Sequence, residues 1–487
     1  MYHLFIVSTF SANSANHEAT MITLTRRQAL MALSAMTASL AGANASLTQG
    51  SGTKANRARK DSVLIIGAGI SGLAAARMLS DAGHTVTVLE ARDRIGGRIW
   101  TERAWSDAPI DLGASWIHGV NQNPVAKLAQ EMGIKTTVFD AGTLMSSHDV
   151  TLYDQAGMPL SATALKQLDE DIDAVQALVW EMLEDAPRSL SAEEAFNSAL
   201  KTLGIDGERG RDVLEDASRM VQDDDGADLA HLAAWGLDEG TGFDGHEVVF
   251  PEGYLQIPER LAQGIDIRLN QVVSEIQYDE TAVKITTGQG TFSADKVIVT
   301  LSLGVLKHGN VRFTPALPAR KQQAIERLGM GVYDKLFLRF PKVFWDDTNI
   351  ISWQSDQNGA WANWFNLARV THVPILCSLY GAGVARRIEG MSDVEAVHEA
   401  MKVLRTIYGP DIPEPAAYRR TCWASDPYAR GSYSYPAVGS STKDRSALAD
   451  SIADRLHFAG EATSIEMSGT VHGALLSGWR EARNILG

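Results

Sequence analysis

A glycine-rich turn between a short apolar strand and a helix constrains the fold of this chain more than any other feature. Residues 63–66 predict a buried parallel strand, GAGISG follows at 67–72, and a helical stretch covers 73–82. A second predicted strand, 84–89, ends at Glu90. In dinucleotide-binding folds the glycines permit a tight turn, close approach of the backbone to a pyrophosphate and close helix packing, and the helix N-terminus faces the phosphates. The predicted cofactor contacts here are Gly67, Gly69, Ser71, Gly72 and the ribose-binding Glu90.

The residues after Glu90 favour FAD over NAD. Ala91 and Arg92 follow directly, and Gly96, Gly97 and Arg98 come a few positions later. The glycine pair can bring a second loop against the same pyrophosphate, and an arginine there offers a charged fork to it. The alternative is a glycine-rich loop with surface arginines. NAD dehydrogenases do not need this second clamp, so the pattern predicts FAD.

Composition excludes some classes of function. The chain has 487 residues, enough for two to four domains, and a net charge of -15, which argues against nucleic acid as a partner. The acidic surface would mildly favour cationic substrates, although ordinary solubility explains it equally well. The chain has two cysteines, Cys377 and Cys422, which form no disulfide framework or metal motif. Whether they form a single bridge stays open.

The N-terminus reads as a targeting segment. A twin-arginine pattern, TRRQAL at 25–30, precedes an uncharged stretch and a small-x-small sequence at 43–45. Residues 1–45 are therefore predicted to be a twin-arginine signal peptide, with residues 1–20 an over-extended start if Met21 is the first residue. Residues 46–60 read as a linker. We expect a bacterial periplasmic or secreted protein that meets the twin-arginine export machinery and has no stable membrane anchor.

From residue 62 to the C-terminus the sequence resembles the flavin-dependent amine oxidases. That family includes the monoamine oxidases, the polyamine and spermine oxidases and the lysine-specific histone demethylases, and the polyamine oxidase branch is the nearest. A chromatin role is not expected, because the demethylases' additional domain and helical insertion have no room here. The motifs that carry the resemblance are GGR at 96–98, LGASWIHG at 112–119, VYDK at 332–335, WASDPY at 423–428, RGSYSY at 430–435, FAGE at 458–461 and TVHGALLSG at 470–478.

The resemblance implies an α/β fold of two discontinuous domains. One is an FAD-binding, Rossmann-like domain of the glutathione-reductase and amine-oxidase type, and the other is an α+β substrate domain. Helical periodicity over 161–235 predicts a helical cap on the substrate domain. The predicted FAD-binding segments are 61–118, 259–318 and 426–487, and the predicted substrate-domain segments are 119–258 and 319–425.

The resemblance also assigns further cofactor residues. Val273 would hold the adenine, and the backbone at Thr470 and Val471 would begin a helix whose N–H groups face the flavin ring. A simple helix cap is the compatible alternative for Thr470. The remaining residues implied at the flavin are Gly113, Ala114, Ser115, Trp116, Trp423, Gly460 and Glu461.

Catalytic and substrate residues follow from the same likeness. Lys335 matches the lysine that holds a water against flavin N5, although a solvent-facing strand lysine is the alternative. Tyr433 would stack beside the flavin, with Thr470 in place of the usual facing aromatic. Ser432 occupies the position of the cysteine that binds flavin covalently in monoamine oxidases, so non-covalent FAD is predicted.

Three further residues concern the substrate. His118 matches a histidine of spermine oxidases and would contact the substrate amine or cap its own loop. Asp238 and Glu239 would bind a second ammonium group, unless they belong to a solvated acidic loop.

The implied reaction is FAD-dependent oxidation of a primary or secondary amine, a polyamine or a related compound. A hydride moves to flavin N5, the imine hydrolyses to an aldehyde, and O2 becomes H2O2. Another flavin oxidoreductase of the same fold, of desaturase or porphyrinogen-oxidase type, is one alternative, and a catalytically silent FAD-binding protein is another. The identity of the amine and of the electron acceptor stays open.

Overall fold

The structure, a computed structural model, describes residues 60–140, 150–183, 186–238, 242–355 and 359–487. The predicted signal peptide and all but the last residue of the predicted linker lie outside the described residues, as does Glu239.

A five-stranded parallel sheet carries the glycine-rich turn. Ser62–Ile66 is its central strand, and Lys296–Val299 and Thr85–Leu89 flank it. Leu456–Phe458 and Asp266–Arg268 form the two edges. Its strands therefore come from three separate stretches of the chain. The predicted strand at 63–66 and the second strand ending before Glu90 are both confirmed.

The first and last helices of the described chain pack against each other beside this sheet. They are Ile70–Asp81 and Val471–Leu486. The contact is close, because a Cβ atom added at Gly478 would lie 2.1 Å from the carbonyl oxygen of Ser71. The hydroxyl groups of Ser71 and Ser477 are 3.1 Å apart across the same contact. The C-terminal helix thus supports the N-terminal nucleotide-binding motif.

A six-stranded sheet forms the second major layer. Its strands, from one edge to the other, are Ala417–Arg420, Tyr333–Arg339, Ile375–Gly381, Asn363–Asn366, Ile350–Trp353 and Val150–Tyr153. Neighbouring strands are antiparallel except for the last pair, which is parallel. Large buried aromatic side chains, Trp345, Trp361, Trp364 and Tyr380, fill the core against this sheet.

Three helices form the predicted cap. They are Ala162–Leu183, Ala192–Leu203 and Gly207–Asp225, followed by the 3-10 turn Ala234–Asp238. Ser191 and Glu194 form a reciprocal capping box at the start of the second helix, which satisfies its first N–H groups. The structure thus places three helices where the periodicity over 161–235 predicted helical structure, and the domain boundaries stay predictions.

Smaller elements complete the fold. A four-stranded sheet contains Gly290–Ala294, Val283–Thr287, Val273–Tyr278 and Arg312–Thr314. A three-stranded sheet contains Trp116–Ile117, Val248–Val249 and Thr137–Val138, and two-stranded pairs join Thr101–Glu102 to Ile110–Asp111 and Gly329–Met330 to Ser434–Tyr435. The other helices are Pro124–Glu131, Gln256–Leu261, Leu303–His308, Ala319–Arg327, Ala368–Thr371, Ala382–Glu389, Asp393–Tyr408 and Thr442–Ala449, with a 3-10 turn at Glu461–Thr463. Within the described ranges, no helix has the length and apolar character needed to cross a membrane.

Ser302 directly precedes a short helix. Its hydroxyl accepts from the N–H of Val305 at 3.2 Å and donates to the carbonyl of Ala429 at 2.7 Å. It therefore caps the helix Leu303–His308 and ties that helix to a distant segment. Cys377 and Cys422 are both free thiols.

Candidate functional site

A cavity of about 970 Å³ runs along the carboxyl ends of the nucleotide-binding strands and reaches the six-stranded sheet and the helical cap. Every predicted cofactor residue except Gly72 lines it, as do Lys335, His118 and Tyr433. Gly72 instead packs beneath it, since an added Cβ atom would lie 2.1 Å from the carbonyl oxygen of Gly67. The structure therefore brings residues from all the sequence motifs to one site.

The nucleotide end consists of two glycine loops in contact. Gly69 bridges to Gly96, whose N–H donates to the carbonyl of Ala68 at 2.8 Å. A Cβ atom added at Gly69 would meet nothing within 4 Å, so a side chain there would project into free space beside the cavity. The Glu90 carboxylate accepts from the N–H groups of Ala68 at 2.7 Å and Arg92 at 2.9 Å. These bonds fix its orientation and leave lone pairs for ribose hydroxyl groups.

A buried ion pair holds the second loop. Arg98 Nη1 donates to Glu461 Oε1 at 2.9 Å and to the carbonyl of Ser432 at 2.7 Å. Burial alone would raise the pKa of Glu461, but the charges of Arg98 and Arg445 and a hydrogen bond from Ser434 lower it below its ordinary value. Glu461 is therefore ionised, and it keeps Arg98 at the cavity wall as a cation.

These features fit FAD. An open cradle at Gly69, the N-terminus of Ile70–Asp81 and the Arg98 cation together suit a pyrophosphate. Val273 lines the cavity beyond Glu90, and the N-terminus of Val471–Leu486 lines it on the other side. The Thr470 hydroxyl caps that helix by accepting from the N–H of Gly473 at 2.9 Å. Thr470 therefore both caps this helix and lines the cavity.

Lys335 lies at the opposite end of the cofactor path. Its side chain is buried, and Nζ donates to the carbonyls of Asp111 at 2.9 Å and Gly113 at 2.6 Å and to the Ser115 hydroxyl. Burial lowers the pKa of Lys335, while Cys377 and Asp111 oppose that shift. The alternative of a solvent-facing strand lysine is therefore wrong. Its three acceptors hold Nζ at the cavity wall beside Ser115.

Tyr433 belongs to an aromatic pair that the sequence analysis missed. Its hydroxyl donates to the backbone carbonyl of Asp223 at 2.7 Å, and Tyr333 donates to the Asp223 carboxylate at 2.7 Å. The two rings are 6.2 Å apart. Tyr333 precedes Lys335 by two positions in one strand, and this alternation places both side chains on the cavity face. The Ser432 hydroxyl accepts from the N–H of Tyr333 at 2.7 Å and donates to the carbonyl of Tyr333 at 2.9 Å.

The cavity continues past the aromatic pair into an acidic region. Burial raises the pKa of Asp223 to about 7, although the Tyr333 hydrogen bond opposes that shift. Burial also raises the pKa of Asp224, against the nearby charge of His118. We call the six cavity-lining carboxyl groups beyond Lys335 the acidic cluster: Asp169, Asp173, Asp216, Asp223, Asp224 and Glu247.

The acidic cluster differs from the one predicted. Asp238 is exposed and does not line the cavity, and Glu239 lies outside the described residues. The sequence signal for the correct group is the run of three aspartates at 223–225, because acidic side chains at a helix C-terminus oppose the helix dipole. Such a run needs a reason other than helix stability.

His118 stands beside this cluster. Its Nδ1 lies 2.7 Å from Glu247 Oε1. Burial would lower the pKa of His118, but the hydrogen bond and charge of Glu247 outweigh it and raise the pKa above its ordinary value. His472, also at the cavity, has its pKa lowered to about 4 by burial and by the charge of His118. The site thus contains one histidine favoured as a cation and one that stays neutral.

Comparisons with known proteins agree with this geometry. Residues 70–486 match the family described as flavin containing amine oxidoreductase. Polyamine oxidase 4 of Oryza sativa subsp. japonica is 36% identical over 429 residues, which cover 86% of this chain and 87% of that protein. Polyamine oxidase 2 of Arabidopsis thaliana is 34% identical over 88% of both chains.

A lysine-specific histone demethylase 1 homolog of Oryza sativa subsp. japonica is also 36% identical, but the match covers only 52% of its length. Among solved structures, cyclohexylamine oxidase from Brevibacterium oxydans IH-35A superimposes with a TM-score of 0.71 at 24% identity, covering 88% of this chain and 98% of that one. A putrescine oxidase double mutant gives 0.71 at 22% identity, covering 88% and 99%. The predicted fold class is confirmed.

Gly69→Val should remove FAD without unfolding the chain. The new side chain fits the extended backbone at this position but fills the cradle that the pyrophosphate needs. We expect FAD affinity to fall about tenfold or more, about 1.4 kcal/mol, in a titration followed by flavin absorbance. Gly288→Ala, at another glycine with free space around it, is the control and should bind normally. Equal FAD affinity in Gly69→Val and wild type would contradict the placement of the pyrophosphate.

Lys335→Met should slow flavin reduction by amine roughly 100-fold while FAD stays bound, because Met fills the same volume but cannot donate hydrogen bonds. Anaerobic stopped-flow measurement of flavin bleaching tests this. Lys296→Met, at a buried lysine outside the cavity that pairs with Asp454, is the matched control. Wild-type reduction rates in Lys335→Met would refute the role of the lysine.

Proposed function

The chain belongs to the flavin-containing amine oxidoreductases, and we propose that it is an FAD-dependent oxidase of amines that carry a second cationic nitrogen, such as polyamines. The acidic cluster is the observation that carries this proposal. A cavity that binds only an uncharged or monocationic amine has no need for six carboxyl groups along one wall.

The two ends of the cavity have different roles in the proposed reaction. When bound, FAD would supply the group that takes a hydride from the carbon beside the amine nitrogen, with O2 as the proposed electron acceptor and hydrogen peroxide as its product. At the nucleotide end, Arg98 and the glycine loops would hold the anionic pyrophosphate. At the ring end, Lys335 joins the strand Tyr333–Arg339 to the backbone at Asp111 and Gly113 and so fixes that wall.

The acidic cluster positions the substrate. Asp224 lines the enclosed cavity, and its pKa is raised because the reduced hydration there and the charge of the neighbouring Glu247 disfavour another negative charge. A bound ammonium group would relieve that cost, so a cation is favoured there over water. With the distal nitrogen held as a cation near Asp224, the neutral nitrogen and its α-carbon extend between Tyr333, Tyr433 and Lys335.

The names of several relatives support the same substrate class, since polyamine oxidases are among those that this chain covers nearly from end to end. The demethylase relatives are about twice the length of the matched region, and nothing at this cavity favours a protein substrate over a small amine.

Anaerobic mixing with a panel of amines tests the proposal. We expect spermidine and α,ω-diamines to bleach the flavin at lower concentration than monoamines of equal length, because only they reach the acidic cluster with a second charge. Peroxide formation after oxygen is admitted checks the electron acceptor. If no amine bleaches the flavin, amine oxidation fails, and if monoamines are preferred, only the dication proposal fails.

Asp224→Asn should raise the KM for a diamine about tenfold, which corresponds to about 1.4 kcal/mol, and leave the KM for a monoamine nearly unchanged. The substitution removes one negative charge near the distal nitrogen and leaves the reacting end of the cavity unchanged, so kcat should change little. Asp206→Asn, at the other end of the same helix and away from the cavity, controls for the net charge of the protein. An equal effect on both classes of amine would contradict the proposed contact.

A further inference from the structure

A buried aspartate lies directly behind the active-site lysine. Because side chains alternate along a strand, Tyr333 and Lys335 face the cavity and Asp334 faces the opposite side. Asp334 is 0% exposed. A carboxyl group so fully buried is costly unless its hydrogen bonds are satisfied or its charge is removed. Lys335 does not pair with it, because Nζ donates to acceptors on the cavity side.

One oxygen of Asp334 joins two parts of the site. Oδ1 accepts from the hydroxyl of Thr421 at 2.7 Å and from the N–H of Trp423 at 3.0 Å. The Thr421 hydroxyl in turn accepts from the N–H of Lys335 at 2.9 Å, and the Thr421 N–H donates to the Lys335 carbonyl at 3.0 Å. Asp334 therefore connects the strand that carries the lysine to the segment that carries Trp423, which lines the cofactor cavity.

The other oxygen of Asp334 lacks a hydrogen-bond donor. Asp334 Oδ2 is buried and has no hydrogen-bond partner in the described part of the chain if Asp334 is ionised. The side chain of Glu389 lies within hydrogen-bonding reach of Asp334. Glu389 accepts from the N–H groups of Ala424 at 2.7 Å and Ser425 at 2.9 Å and from the Ser425 hydroxyl, and Ala424 directly follows Trp423, the backbone donor to Asp334.

An ionised Asp334, fully buried beside the half-buried carboxyl group of Glu389, would place two negative charges together, and a shared proton removes that cost. The other groups near the pair do not neutralise it. Arg420 is paired with Asp393 at 2.6 Å, and Cys422 is a free thiol whose pKa is raised by burial. Tyr380 is buried, and its hydroxyl has no hydrogen-bond partner within the described ranges.

We propose that Asp334 is a positioning residue that keeps its proton at neutral pH, donates it from Oδ2 to the Glu389 carboxylate, and thereby fixes Lys335 and Trp423 against the cofactor cavity. The retained proton explains the otherwise unsatisfied buried oxygen. The inference rests on the proposed function for the importance of Lys335 and Trp423. The protonation of Asp334 does not depend on that function.

The electrostatics agree in direction. Burial raises the pKa of Asp334 far above its ordinary value of 3.8, and the hydrogen bond and charge of Glu389 raise it further, against hydrogen bonds from Thr421 and Trp423. Because the pKa is higher in the folded state, the folded chain keeps a proton that the unfolded chain has released. Stability is therefore lost as pH rises above about 3.8, until the folded pKa has been passed.

Asp334→Asn tests the proton without removing the hydrogen bonds. The amide oxygen can accept from Thr421 and Trp423, and the amide N–H can donate to Glu389, but the group cannot ionise. We expect the Tm of the FAD-loaded variant minus that of wild type to increase steadily from about pH 5 upward. Asp171→Asn is the control, since Asp171 is a buried aspartate that pairs with Arg209 and has its pKa lowered. That variant should lose stability by an amount that stays constant over the same range.

Infrared difference spectra give a direct readout. Wild type minus Asp334→Asn at neutral pH should show the C=O band of a protonated carboxyl group. Absence of that band, or a Tm difference that does not change with pH, would overturn the proposal. Neither measurement needs a substrate, so a failure of the amine-oxidase proposal would be visible separately as a flavin that no amine reduces.

The positioning role needs a second comparison. Asp334→Ala should slow flavin reduction about tenfold or more and perturb the bound flavin spectrum, because Thr421 and Trp423 lose their common acceptor. Asp334→Asn should restore both. If Asn behaves like Ala, the hydrogen bonds are not what matters and the positioning role is refuted. If Asp334→Ala does not fold, the Asn variant must still show wild-type reduction rates for the proposal to stand.

Discussion

The wall of the cofactor cavity depends on one buried lysine that joins two parts of the chain. Lys335 extends from the six-stranded sheet and donates to the backbone carbonyls of Asp111 and Gly113, in the segment that follows the second glycine loop. An ammonium group in this position must find acceptors, because it is removed from water. The hydrogen bonds therefore hold that segment against the sheet where both line the cavity.

Charge is distributed along that cavity in a consistent order. Arg98, held by the ionised Glu461, provides the positive potential at the nucleotide end, and the acidic cluster provides the negative potential at the other end. Lys335 lies between them, buried and with a lowered pKa. The charges therefore favour an anionic ligand at one end of the cavity and a cationic ligand at the other.

Local motifs were sufficient to predict much of this site. Contacts between residues far apart in sequence could not be predicted in the same way, because they depend on tertiary packing. The glycine turn, the second glycine loop, Glu461 and Lys335 each occur in a short stretch whose spacing reflects a local backbone requirement, and all line the cavity. Asp223 meets Tyr333 across 110 positions, and Glu389, at the end of the helix Ala382–Glu389, meets Asp334 of a separate strand, so no local pattern marks either pair. Asp223 and Asp224 line the cavity and Asp238 is exposed. The aspartate run at 223–225 is a sequence signal, but the position of its side chains depends on how the cap helices pack. Ser302 shows the same limit, because its partner Ala429 lies 127 positions away.

The order in which the central sheet is assembled has a consequence for biosynthesis. Its first strand begins at Ser62, but an edge strand, Leu456–Phe458, and the helix that packs on the glycine turn, Val471–Leu486, lie far later in the chain. Contacts so distant in sequence form late, because closing long loops costs entropy before the contacts repay it. The packing of the nucleotide-binding turn, and the cavity wall that Val471 contributes, are therefore completed only after Val471–Leu486 has been synthesised.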